Sequence, residues 1–147
     1  VPANNSAWTY SGIDVAPGQQ VWIDFRADGV WGDPGIWAAK NLTADGTLSG
    51  SINNPQTIGG YPVYYLAGSV NPDRPNNIYG TNNQFQVGSF YYHFQPTQSG
   101  RLMLGHNFGN INFQKGAYES DATFEARMKS MYQAFTGEMT VRIIVTQ

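Results

Sequence analysis

The side chains able to act as nucleophiles or general bases are few. The chain has two histidines, His93 and His106, and no cysteine. Nucleophilic hydrolysis needs a serine or cysteine beside a histidine that an acid orients, and no G-x-S-x-G turn is present. His93 lies in an aromatic run, where a structural, hydrogen-bonded ring is the better interpretation. His106 follows a core-strand pattern and is expected to open a polar loop.

Carboxylates and metal-binding spacings give no catalytic signature either. The ten acidic residues include no pair that the sequence marks for glycoside hydrolysis. Two histidines cannot supply a His₃ zinc site, and H-E-x-x-H is absent. Calcium stays open, because loops rich in Asp, Asn and carbonyl groups suit a hard cation. We therefore expect no enzymatic activity.

The elements that would position these groups are mostly strands. Of the 147 residues, 41% are hydrophobic and only 12% charged, while Gly 17 and Pro 8 supply turns, a composition typical of one β-sandwich domain spanning 1–147. Apolar and polar residues alternate in short runs. In the run at 20–25, Val21, Ile23 and Phe25 share one face, and Trp22 on the other suggests that this face is covered as well. The other predicted strands are 8–15, 61–66, 90–94, 100–105 and 138–145.

One segment, 120–135, has helical spacing instead. Ser120 or Asp121 can cap its first turn, and Gly137 follows as a C-terminal stop. We expect this amphipathic helix to cover the sandwich, with its apolar positions in the core. A Met-rich groove for a partner is the alternative. The apolar positions are Phe124, Met128, Met131, Tyr132 and Phe135.

Two stretches, 41–60 and 71–84, are predicted to be long, irregular, polar loops, and loops of this length are often functional. A formal charge of −2 without a basic cluster argues against nucleic acid as a partner. No apolar run approaches the roughly 20 residues of a membrane helix, so membrane insertion is not expected. Few lysines and many Asn and Tyr residues favour a secreted, periplasmic or extracellular bacterial protein.

Six segments of the chain occur in a characteristic order. They are NNSAWTYSGIDVAPGQQVWI at 4–23, ADGVWG at 27–32, PVYYLAG at 62–68, FQVG at 85–88, GRLMLGHN at 100–107 and FTGEMTV at 135–141. In this order they resemble the scaffold of the bacterial PA-IL-like lectins, which are small, calcium-dependent, galactose-binding domains. The resemblance covers about two thirds of the chain and implies an all-β, jelly-roll-type β-sandwich (galactose-binding-like). The helix predicted from its spacing, inserted before the last strand, is an addition to that scaffold.

The resemblance also implies a binding site. In that family, calcium is held by Asp, Thr and two adjacent Asn after the penultimate strand and by a carbonyl near the early Gly-x-Trp segment, and sugar hydroxyls complete the shell. Here Asn107 stands where the Asp is expected, which weakens a calcium site. The implied metal ligands are Trp31 (its carbonyl or that of Gly32), Asp33, Asn107 and Asn110. These Asn and Asp residues could equally be turn and loop-capping residues.

Exposed aromatic residues offer a second route to sugar binding, because an aromatic face stacks on the C–H side of a pyranose. Trp31, Trp37 and Tyr79 lie in or beside polar loops, although partly buried packing is an equally ordinary role for them. The sugar-binding candidates are Trp31, Trp37, His106, Asn107 and Asn110.

Two functions therefore remain. One is a lectin or ancillary sugar-binding module, preferring galactosides, with calcium as an allowed cofactor and homo-oligomerisation for multivalent strength. The other is a structural or adhesive domain that acts through protein contacts. A solvent-facing cleft with Trp31, His106, Asn107 and Asn110 would favour the first, and an exposed stripe on the helix would favour the second.

Overall fold

A computed structural model describes residues 1–24, 31–33, 39–42, 45–47, 57–58, 61–78, 81, 83–88, 92–107 and 115–147. These residues form strands in antiparallel sheets and one short helix, so the all-β sandwich prediction is confirmed. The strands are β1 Thr9–Val15, β2 Gln20–Asp24, β3 Trp31–Asp33, β4 Ala39–Leu42, β5 Asp45–Thr47, β6 Thr57–Ile58, β7 Tyr61–Val70, β8 Gln84–Gln86, β9 Tyr92–Phe94, β10 Gly100–Asn107 and β11 Arg142–Thr146, with helix α1 Asp121–Tyr132 before β11.

Two sheets make up the sandwich. The larger has the order β1-β10-β7-β5, with β6 and β8 also paired to β7. The smaller has the order β11-β2-β9, and β3 pairs with β4 in a separate two-stranded ribbon. Every pairing is antiparallel. Strand β7 is thus the centre of the larger sheet, with partners along both of its edges.

The main core lies between the two sheets and under α1. Period-2 alternation aims Leu102 and Leu104 of β10 inward, as predicted, against Val21 and Ile23 of β2. The last strand begins at Arg142 rather than 138, yet its inward set is as predicted. That set is Met139, Val141, Ile143 and Val145.

A second, smaller core covers the outer face of the larger sheet. Trp8, Tyr65, Ala67 and Ile78 are buried there. The indole N–H of Trp8 donates to the hydroxyl of Thr81 at 3.1 Å. The described part of the segment after β7 is irregular, as predicted, and it packs back over the sheet so that Asn77 and Thr81 are buried.

Helix α1 begins where the sequence predicts. The Ser120 hydroxyl accepts a hydrogen bond from the Thr123 backbone N–H at 3.1 Å, an N-cap. The helix ends at Tyr132, three residues before the predicted end, and a turn carries Phe135 into the core. Phe124 and Met128 are buried, which confirms that the apolar stripe serves the core. No helix among the described residues is long and apolar enough to cross a membrane.

The prediction of one long loop over 41–60 was wrong. The described part of that stretch contains the end of β4 and the strands β5 and β6. Asp45-Gly46-Thr47 has poor intrinsic strand propensity, but pairing with Tyr65 and Val63 of β7 gives its backbone hydrogen-bonding partners. Tertiary pairing overrides local composition here.

Candidate functional site

His106 lies inside the fold. It is the seventh residue of β10 and does not open a loop, so that prediction was wrong. The side chain is 1% exposed, with Nδ1 placed 2.9 Å from the Ala3 carbonyl oxygen. Its ring packs edge-on against Tyr132 and Phe135, at 5.7 and 5.3 Å between centroids. His106 is thus a core residue that joins the N-terminal segment to the end of α1, and its side chain does not face solvent.

Asn107 is equally buried, on the opposite face of β10. Its side-chain Nδ2 donates to the Tyr65 hydroxyl at 2.7 Å and to Gln84 Oε1 at 2.8 Å. The residue is 1% exposed. Asn107 is therefore held inside the fold through its amide nitrogen.

For Trp31 and Asp33, two other predicted site residues, the structure describes the backbone. Trp31 and Asp33 are the first and last residues of β3. The middle residue, Gly32, exchanges two 2.9 Å backbone hydrogen bonds with Thr136. The backbone of β3 and the ring of His106 therefore flank the same segment, 135–136. The side chains of Trp31 and Asp33 lie outside the described residues.

Trp37 and Asn110 also lie outside the described part of the chain, as does Tyr79. Within that part, no three His, Cys, Asp or Glu side chains come close enough to hold a metal ion. Of the predicted site, the structure describes the side chains of two members, His106 and Asn107, and these are buried on opposite faces of β10 rather than brought together.

His93 follows its prediction more closely. Its Nε2 lies 2.6 Å from Gln20 Oε1, and its ring stacks on Trp22 at 4.8 Å between centroids. Both rings stand on the outer face of the smaller sheet, where Trp22 is half-buried and His93 exposed. The expectation that a second layer covers the face of Trp22 stays a prediction.

A concave site lies at the other end of the sandwich, beside the start of β10. It has a volume of about 210 Å³. At about 3.3 Å per strand residue, it is roughly 20 Å from Asn107. We call it the end pocket. Its lining residues are Val70, Asn83, Phe85, Phe94, Gln95, Pro96, Thr97 and Gln98.

Aromatic rings form the apolar part of the end pocket. Phe85 stacks on Tyr92 with centroids 5.0 Å apart and planes 4° apart, and contacts Phe94 at 5.0 Å. The Phe85 ring also lies directly on Gly68 of β7, where any side chain would overlap it. Gly68 is therefore what allows β8 to bring its phenyl ring over the sheet.

Amides and a hydroxyl form the rim. Gln98 donates through Nε2 to the Val70 carbonyl at 3.1 Å, and Asn83 donates to the same carbonyl at 3.3 Å. These bonds fix both side chains, and each amide retains further donor or acceptor capacity. Gln95 and Thr97 are exposed beside them. None of the lining side chains is ionisable, so the end pocket suits an uncharged ligand with hydroxyl groups and an apolar face.

The sequence contained a signal for this site. Gln95-Pro96-Thr97-Gln98 follows an aromatic strand, and a proline turn with two amides is a common way to present polar groups at a strand end. A second concave surface, of about 450 Å³, lies between residues 4–7, Asn76 and the exposed side of α1, where Glu125, Lys129 and Gln133 line it. It lacks an aromatic ring in its lining.

Comparison with known proteins adds no assignment, because no family model matches the chain and no curated protein matches it significantly.

Proposed function

We propose that this chain is a non-catalytic carbohydrate-binding domain and that the end pocket receives a neutral pyranose. The observation that carries the proposal is the combination of Phe85 and Phe94 with the side-chain amides and hydroxyl of Gln95, Thr97 and Gln98. Aromatic surface accepts the C–H face of a sugar, and amides both donate to and accept from its hydroxyl groups.

The size of the pocket favours a small ligand. Sites for drug-sized molecules measure about 300–1,000 Å³, and the end pocket, at about 210 Å³, is smaller. A single sugar ring is smaller than a drug-sized molecule and suits a pocket of this volume. Such a shallow contact binds weakly, so multivalent display, including a homo-oligomer, would raise the apparent affinity.

The jelly-roll connectivity and the galactoside preference implied by the PA-IL-like resemblance belong to this proposal. Calcium need not take part at the end pocket, because its lining includes no carboxylate and hard cations are bound chiefly through charged oxygens. We therefore expect binding that resists a chelator.

An exposed helix stripe would have favoured the competing proposal, an adhesive domain that acts through its helix and aromatic faces. Phe124 and Met128 are 2% and 1% exposed. That stripe is part of the core, so the described residues favour sugar binding over docking through α1.

The test is a glycan array run in millimolar calcium and again in a chelator. We expect the same neutral glycans to bind in both buffers. Calcium-dependent binding would instead place the site outside the end pocket, near β3 and the residues after Asn107. An absence of binding in both buffers would refute the proposed function.

Four alanine variants locate the site. Gln95→Ala and Thr97→Ala should each weaken binding, whereas Gln147→Ala, at an exposed position outside the pocket, should not. A loss with Gln133→Ala but not with Gln95→Ala would move the site to the surface beside α1.

A further inference from the structure

Another cavity, distinct from the surface beside α1, lies next to the end pocket. It has a volume of about 410 Å³, and we call it the side cavity. Its lining residues are Asp14, Val15, Ala16, Asn71, Ser99, Gly100 and Arg101. Val70 and Gln98 line the end pocket while Asn71 and Ser99, the next residue of each segment, line the side cavity. The two cavities therefore share one wall.

That wall is cross-linked by side-chain amides. Gln98 Nε2 donates to the Val70 carbonyl at 3.1 Å, and Asn71 Nδ2 donates to the Ser99 carbonyl at 3.2 Å. Asn71 has a φ of 47°, a left-handed conformation that few residues other than glycine adopt. Asparagine is one of the residues that adopt this conformation readily, so it suits the bend that follows β7.

The side cavity differs from the end pocket in charge. Asp14 of β1 and Arg101 of β10 are cross-strand neighbours in the sheet. The Tyr10 hydroxyl donates to Asp14 Oδ1 at 2.9 Å. The Arg101 guanidinium lies over the Tyr10 ring, 5.3 Å from its centroid. A carboxylate accepts from sugar hydroxyls and a guanidinium donates to sugar oxygens. Because Asp14 and Arg101 carry opposite charges and the other lining side chains carry none, the side cavity has no net charge and suits a neutral sugar.

We infer that the ligand is a neutral oligosaccharide, with one sugar unit in the end pocket and the next in the side cavity. This inference rests on the proposed function and adds the size and charge of the ligand. Because the two cavities share a wall, neighbouring sugar units of one ligand can contact it together. The amides on that wall are already fixed by hydrogen bonds, so they can hold both sugar rings without rearrangement of the protein.

The test is calorimetry with neutral saccharides. Galactose, glucose and mannose are each titrated as mono-, di- and trisaccharide into the wild-type chain and into Arg101→Gln. For a series that binds, the disaccharide should bind about tenfold more tightly than the monosaccharide, and the trisaccharide should add little. Arg101→Gln should remove that gain and leave the monosaccharide affinity unchanged. Arg142→Gln, an exposed arginine on β11, is the matched control and should change neither.

Each other outcome is decisive. Equal affinity for mono- and disaccharide would overturn the two-unit inference, and so would an equal loss of both affinities in Arg101→Gln. In either case, monosaccharide binding by the wild-type chain would still support the proposed function. Binding by no member of the three series overturns both. Digalacturonate, which carries carboxylates on the galactobiose frame, should bind more weakly than galactobiose, and tighter binding would refute the neutral-ligand inference.

Discussion

Asn71 Oδ1 accepts a hydrogen bond from the backbone N–H of Arg101 at 2.9 Å. Through its Nδ2 the same side chain donates to the Ser99 carbonyl, so one amide spans Gly100 and holds the end of β7 against the start of β10. This contact fixes the wall between the end pocket and the side cavity. The proposed binding surface thus depends on a single asparagine in a left-handed conformation.

Gly100→Ala should disturb this wall. An added Cβ would overlap the Asn71 amide, and forcing extra atoms into a packed site costs about 1–3 kcal/mol. We expect a lower free energy of unfolding in urea and weaker disaccharide binding. Gly116→Ala is the control, because its Cβ would meet the nearest atom of Glu119 at 3.5 Å, an ordinary contact. Equal stability of the two variants would contradict the role of Asn71.

Asn107→Ala should reduce stability without affecting sugar binding. The change removes the Nδ2 group that donates to the buried Tyr65 hydroxyl and to Gln84 Oε1, at a cost of about 1–3 kcal/mol, while the 3.1 Å hydrogen bond from Tyr65 to Gln84 keeps both its partners. Asn76→Ala, at an exposed position, should be close to neutral in the same urea titration. A loss of sugar binding in an otherwise stable Asn107→Ala protein would restore this residue to the binding site.

Glu119 should make stability depend on acid pH. Two bonds from Arg127, at 2.9 and 2.8 Å, and one from the Gly116 N–H hold the pKa of its carboxyl at about 2, below the ordinary 4.5. Because the folded pKa is the lower one, the stabilisation is present above pH 4.5 and is lost as the pH falls towards 2.

Thermal unfolding measured from pH 7 to pH 2.5 checks this. The wild-type midpoint should exceed that of Glu119→Gln at neutral pH, and the difference should shrink below pH 4.5. Glu138→Gln, at an exposed position, serves as the control. A difference that stays constant across the range would show that the Arg127 contact does not couple to folding.

Met128→Ala should show that α1 belongs to the core. Met128 is 1% exposed and packs in the main core, where removing a large side chain costs about 2–5 kcal/mol. Met131 is only half-buried, so Met131→Ala should cost less in the same denaturant titration. The reverse order would mean that the helix packs through a different face.

Strong local signals predicted the scaffold. Alternation in β2 and β10 and helical spacing in α1 depend on side chains that repeat on one face, and such periodicity can be read without tertiary context. The N-cap at Ser120 was also predictable, because a serine directly before a helical pattern can accept a hydrogen bond from the first turn. The short strand β5 was not, because its pairing with β7 rather than its own composition makes it a strand.

Within the predicted site, the structure describes the side chains of His106 and Asn107. Polar residues near the end of a strand were interpreted as solvent-facing ligands, yet His106 and Asn107 are drawn inside by partners distant in sequence, Ala3 and Tyr65. Burial of a polar side chain depends on such partners, which spacing does not reveal. The end pocket was missed because its aromatic and amide residues come from two segments that are separate in sequence, 83–85 and 94–98.

The most direct test of the central claim is an NMR titration of the side-chain amide groups with galactose, glucose and mannose, in calcium and in a chelator. Our account predicts that a binding sugar shifts the amide signals of Gln95, Gln98 and Asn83 in both buffers and leaves Asn107 unchanged. Shifts confined to Asn110 or the Trp31 indole, or no shifts with any of the three sugars, would contradict it.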